Sequence, residues 1–179
     1  MATPVIAFSQ LAAELEAEGL TPDNSERVAA ELAKTFSVES DEVAIMKVAK
    51  GNLAFVFPTK LANVGSIPLN TSTSVAARTA NSKRAEAINN FAQTKHASVF
   101  ESMIGPPAHD PDHPGHKEEK HTHIIQKLMS VPVVGPSGVL GVIQVCRKGK
   151  SAPEAGVDFV PGDLQRLVQI ASSLARCFN

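Results

Sequence analysis

Two apolar, β-branched runs, Lys127–Val134 (KLMSVPVV) and Val139–Val145 (VLGVIQV), flank Gly135-Pro136-Ser137-Gly138, and this arrangement restricts the fold more than any other feature of the chain. A turn signal between two such runs predicts a β-hairpin. Strand alternation puts Val139, Gly141, Ile143, Val145 and Arg147 on one face of the second run, and Leu140, Val142, Gln144 and Cys146 on the other. Both faces are mostly apolar, with Gln144 the exception, so the ribbon belongs in the middle of a sheet covered on each side.

After the ribbon, Pro161 and Asp163 mark a helix start. Leu164, Leu167, Val168, Ala171, Leu174, Ala175 and Phe178 recur at helical spacing, while Ile170 and Cys177 lie off that stripe. The extra apolar surface predicts a partner helix. Such a helix is available at the other end of the chain, where Phe8, Leu11, Ala12 and Leu15 share a face and Gly19 ends the run. Thr21-Pro22 then reads as an N-cap and first turn, opening a second helix through Val28, Ala29, Leu32 and on to about Thr35. Residues 41–48 and 53–57 read as strands around a Gly51-Asn52 turn, with Pro58 as a stop.

From about residue 22 to residue 178 the chain resembles a GAF domain, the small-molecule-sensing fold related to PAS domains. The resemblance rests on Val131-Pro132-Val133-Val134, the 135–138 turn, Gly141-Val142-Ile143-Gln144-Val145, Arg147-Lys148, and Phe159 with Asp163. Ile67-Pro68-Leu69 and the 85–91 segment add to it, and imply a short strand near Ile67, a short helix over 75–80 and a strand over 85–89. It implies an α+β fold: a central antiparallel sheet of five to six strands, N- and C-terminal helices on one face, and short helices and loops over the other. Residues 1–20 would be an N-terminal helix serving dimerisation, and 21–179 the domain proper. In the family such terminal helices often pair between subunits, which suits Ile170 and Cys177 and implies a homodimer; an intramolecular bundle is the alternative.

The resemblance also places a ligand against the short helix and the sheet, lined by Thr71, Ser74, Asn89, Phe91, His96, Phe100 and Gln144. Each has a plainer reading as well: caps for Thr71 and Ser74, turn formation for Asn89, packing for the rest. Some family members bind cyclic nucleotides with Asn and Glu where this chain has Arg147 and Leu164, so that ligand does not carry over. Lys148 and Asp163 read as a structural ion pair.

All 6 histidines lie between His96 and His123, five of them in a Pro- and Gly-containing loop within 105–123. His109, His113, His116, His121 and His123, with Asp110 and Asp112, are spaced to reach one divalent metal if the loop closes; a solvated loop is the alternative. His121 and His123 are the better pair, since alternate strand residues point the same way.

Lys plus Arg is 17 and Asp plus Glu 18, a balance that argues against nucleic acid or an anionic membrane as partner. The N-terminus lacks a signal-peptide pattern, and no apolar run approaches the roughly 20 residues of a membrane span. Cys146 and Cys177 stand outside any CxxC pattern and read as buried thiols of a reducing, cytoplasmic compartment. One branch of the GAF family reduces free methionine sulfoxide with cysteines around the pocket lid, where this chain has none. Bilin attachment lacks its cysteine too, and neither bilin nor haem is expected. The expectation is a sensing or signalling module without its own catalysis, acting through a homodimer or a separate output protein. A metal-binding protein or metal-dependent enzyme built on the histidine loop is the alternative.

Overall fold

The computed structural model describes residues 4–63, 65–71, 73–93 and 124–179. Six strands form one antiparallel sheet: β1 (Val43–Ala49), β2 (Asn52–Phe57), β3 (Ser66–Pro68), β4 (Glu86–Ile88), β5 (Ile124–Gly135) and β6 (Gly138–Gly149). Their order is β3-β2-β1-β6-β5-β4, which sets the β5–β6 ribbon inside the sheet, between β1 and β4. Helices α1 (Pro4–Leu15), α2 (Pro22–Phe36) and α4 (Pro161–Leu174) cover one face, and α3 (Val75–Ser82) lies over the other. The fold is α+β, with the layers that the apolar pattern of the ribbon requires. Among the described residues, no helix is long and apolar enough to cross a membrane.

Local chemistry sets most element ends. Thr21 accepts a hydrogen bond from the Asn24 N–H at 3.2 Å and caps α2, with Pro22 in its first turn. The Asn24 amide reaches back to the Gly19 carbonyl at 2.8 Å and ties the end of the first helical segment to the start of the second. The β1–β2 turn falls one residue earlier than Gly51-Asn52: Lys50 (φ 51°) and Gly51 (φ 78°) are its left-handed pair, and Asn52 already faces Ala49 in the ladder.

Two bulges give the ribbon a register that simple alternation does not anticipate. Val134 faces Val139 but Val133 faces Gly141, so Leu140 is the extra residue on β6; Ile125 faces Lys148 but Lys127 faces Arg147, so Gln126 is the extra residue on β5. The Leu140 bulge exchanges two side chains relative to the expected faces. Leu140 packs into the helix-side core with Ile143 and Val145, and Val139 joins Val142 and Cys146 on the α3 side. Gly135 accommodates the displaced Leu140, whose side chain would lie 2.7 Å from a Cβ there.

The buried side of α4 also differs from the expected stripe. Ile170 and Cys177 are fully buried, whereas Val168 is 43% exposed. The cause is α1, which lays Phe8, Ala12 and Leu15 into the same core and turns the buried face of α4 toward itself. The Cys177 thiol donates to the Ala12 carbonyl at 3.4 Å. The surface assigned to pairing between subunits is thus covered within one chain, each large buried side chain contributing roughly 2 kcal/mol. The expected Lys148–Asp163 pair does not form. Lys148 reaches Asp41, donating to its carbonyl at 2.8 Å with its carboxylate at 3.8 Å, while Asp163 accepts from the Val160 N–H at 2.9 Å at the start of α4.

Candidate functional site

The sheet has two differently furnished faces. On the helix side, ionic groups stand only at the border and are tied to the backbone. Arg147 donates to the carbonyls of Phe36 (3.1 Å) and Ser37 (3.2 Å), where the end of α2 concentrates negative partial charge, and lies 4.7 Å from the Phe159 ring centroid. The buried Lys127 ammonium donates to the Gly156 carbonyl at 2.6 Å and to Asp158 at 2.7 Å. Both side chains hold the β6–α4 connection in place.

On the α3 side a row of paired residues crosses the sheet: Ala44 on β1, Gln144 on β6, Ser130 on β5 and Glu86 on β4. Gln144 is 5% exposed and flanked on its strand by Val142 and Cys146, both fully buried in an apolar core. Its Nε2 donates to Ser130 Oγ at 3.1 Å. Ser130 Oγ lies 2.7 Å from Thr79 Oγ1 on α3, and Thr79 donates to the Val75 carbonyl at 2.8 Å. At the edge of the row Arg78 holds the Glu86 carboxylate through two N–H groups at 2.8 and 2.9 Å. The centre of this face is therefore a buried, neutral chain of amide and hydroxyls that joins the middle of the sheet to α3. A buried polar group in an apolar setting is costly without partners, which is why the chain runs unbroken to a helix carbonyl.

The expected ligand residues fall in different places. Gln144 forms the centre of the row, Phe91 is buried in the same core, and Ser74 caps α3 by accepting from the Ala77 N–H at 3.3 Å. Thr71 is half-exposed, its hydroxyl 3.1 Å from that of Thr73. Asn89 turns to the other end of the sheet: its amide donates to the Phe159 carbonyl at 3.0 Å and accepts from the Phe159 N–H at 2.9 Å. That clamp joins the end of β4 to the start of α4. His96, Phe100 and the five histidines from His109 to His123 lie outside the described residues. Among the described residues no group of three or more His, Cys, Asp or Glu side chains is placed to hold a metal ion.

Thr79 and Ser130 were not among the expected site residues. Ser130 interrupts an apolar run, which is a visible signal, but counting back from the 135–138 turn sets Met129 opposite Gln144; the Leu140 bulge moves Ser130 there instead.

The two thiols are free and buried, Cys146 in the α3-side core and Cys177 in the helix-side core, so the sheet stands between them. Burial pushes the Cys177 thiol above its ordinary pKa, the charge of Glu16 adds to this and Arg176 opposes it. A thiol held protonated in this way is a poor nucleophile.

No family model matches the chain, and no curated protein matches it in sequence. Solved structures do match its fold. The GAF domain of an Acinetobacter phosphoenolpyruvate-protein phosphotransferase superposes with a TM-score of 0.61 at 14% identity, over 99% of this chain and 94% of that one. The second GAF domain of DevS from Mycobacterium smegmatis gives 0.54 at 13% identity, over 88% and 92%. A type II free methionine-R-sulfoxide reductase from Thermoplasma acidophilum gives 0.57 at 13% identity, over 94% and 94%. The chain has the GAF fold, and at these identities the likeness concerns the fold alone. The fold occurs in domains of larger proteins and in a reductase alike, so function has to be argued from the site.

Proposed function

We propose that the protein is a small-molecule-binding module that carries no chemistry of its own, with its ligand seated on the α3 side of the sheet at Gln144. The observation that carries this reading is the placement of one buried amide, with its hydroxyl chain, at the centre of an otherwise apolar core. Small-molecule sites combine such apolar walls with a few fixed polar groups. Ser74 and Phe91 belong to the same layer and complete the seat. A reductase reading is disfavoured because thiol–disulfide exchange needs two sulfurs within bonding reach, and here a sheet separates them. With no catalytic group among the described residues at the seat, the bound state is passed on through a separate output protein or a second copy of the chain, and Asn89 is the physical link from the α3 side to α4.

A thermal-shift screen of neutral and charged small molecules, followed by native mass spectrometry of the untagged chain, tests this reading and reports subunit stoichiometry. A saturable stabilisation lost in Gln144→Leu is the expected result. Methionine sulfoxide turnover dependent on Cys146 would replace binding with catalysis, and absence of any bound species would leave a dimerisation scaffold as the better description.

A further inference from the structure

The polarity of the Gln144 chain follows from counting protons, and it selects the kind of ligand. Thr79 Oγ1 is 2.8 Å from the Val75 carbonyl oxygen. A carbonyl brings no proton, so the one hydroxyl proton of Thr79 lies in that bond. Thr79 and Ser130 are 2.7 Å apart, and with the Thr79 proton committed, Ser130 is the donor. Ser130 then has no proton left for Gln144. The 3.1 Å contact between them must be an N–H donation from Gln144 Nε2, which rules out the flipped amide. A helix carbonyl thereby orients an amide three groups away.

Two positions of the amide are left over: Gln144 Oε1, an acceptor, and the second proton of Nε2, a donor. The side chain is 95% buried by its 5% exposure, and no described residue donates to that oxygen. Among the described residues the charged groups of this face are paired: Lys148, two residues beyond Cys146 and with its side chain 8% exposed, reaches Asp41. Lys127, with its side chain 5% exposed, belongs to the helix-side border, held by Gly156 and Asp158. Glu86 and Arg78, in the same row, are paired with each other. An ionised ligand group beside Gln144 would lose hydration and would have to compete with these existing pairs for a counter-charge.

We infer that the site selects small uncharged molecules of the amide, lactam or ureide class, which present an N–H to Gln144 Oε1 and a carbonyl to the remaining Nε2 proton. The inference rests on the small-molecule reading above and narrows it. A ligand offering only an acceptor is held by the Nε2 proton alone and leaves Oε1 unpaired, so it binds more weakly.

The test uses three lactams on the isotope-labelled full chain: 2-piperidone, 3-methyl-2-piperidone and N-methyl-2-piperidone, with affinities read from NMR shifts of α3-face resonances. The two N–H lactams bind alike, and the N-methyl compound binds at least about tenfold more weakly, the scale of one hydrogen bond. Equal binding of all three would overturn the polarity inference and leave the small-molecule reading standing. No shift on the α3 face with any of them would overturn both. Thr79→Val supplies a second arm, since it releases the Ser130 proton and lets the Gln144 amide turn over, so the preference for N–H lactams should vanish. A preference retained in that variant would refute the relay, and the wild-type comparison holds whether or not the variant folds.

Discussion

The two faces of one sheet are furnished with different chemistry. On the helix side, Phe8, Leu32, Leu167 and Ile170 fill the core with apolar volume, and the ionic groups Lys127 and Arg147 are confined to its border. On the α3 side, an equally buried layer carries Gln144, Ser130 and Thr79 at its centre. An apolar face maximises the stability gained per area, whereas a central amide chain contributes little to stability and much to orientation. The difference teaches that a central amide, the one proposed to meet a ligand, can be carried on a scaffold made firm by the opposite face.

The contrast breaks most sharply at Gly141. A Cβ there would sit 2.6 Å from the Phe178 ring and collide with the Met46 carbonyl, neither of which can move without shifting the sheet or the C-terminal turn. Gly141→Ala should lower unfolding free energy by about 3 kcal/mol, measured by urea denaturation. A loss under a third of that would mean the helix face is loosely packed. Next in size is Asn89→Ala, which removes both bonds of the clamp and should cost about 2 kcal/mol. Because the clamp spans the two sides, hydrogen exchange should accelerate at the start of α4 as well as at β4; an effect confined to β4 would deny the link.

Gln144→Leu should sharpen the contrast from the other side. An apolar side chain of similar size should change stability by less than about 1 kcal/mol while abolishing lactam binding. A large destabilisation with binding intact would make the amide a core element only. The smallest expected effect is at Cys177, whose folded state binds its proton more tightly than the unfolded chain does. Its contribution is therefore full below the ordinary thiol range and is lost as pH rises through and beyond it. Urea midpoints should decline less on the alkaline side in Cys177→Ala than in the wild type; parallel declines would show that the thiol plays no part.

Much of this architecture was legible in the residues because its determinants are local. Thr21-Pro22 and Ser74 cap the helices they open, Gly19 ends the segment before α2, and the apolar runs around 135–138 form the inner ribbon. The polar seat was only half legible. Gln144 stands out in its strand, but its partners Ser130 and Thr79 are brought to it by a bulge and by helix placement.

Capping, turn chemistry and hydrophobic period thus determined which elements form and which strands lie inside, since each acts over a few neighbouring residues. Register, the buried side of α4 and the partner of Lys148 were decided only when distant segments met. A bulge at Leu140 exchanges faces for a local backbone irregularity, and α1 makes Ile170 rather than Val168 the buried residue. Those choices rest on packing energies summed over the whole core, which no short stretch of sequence contains.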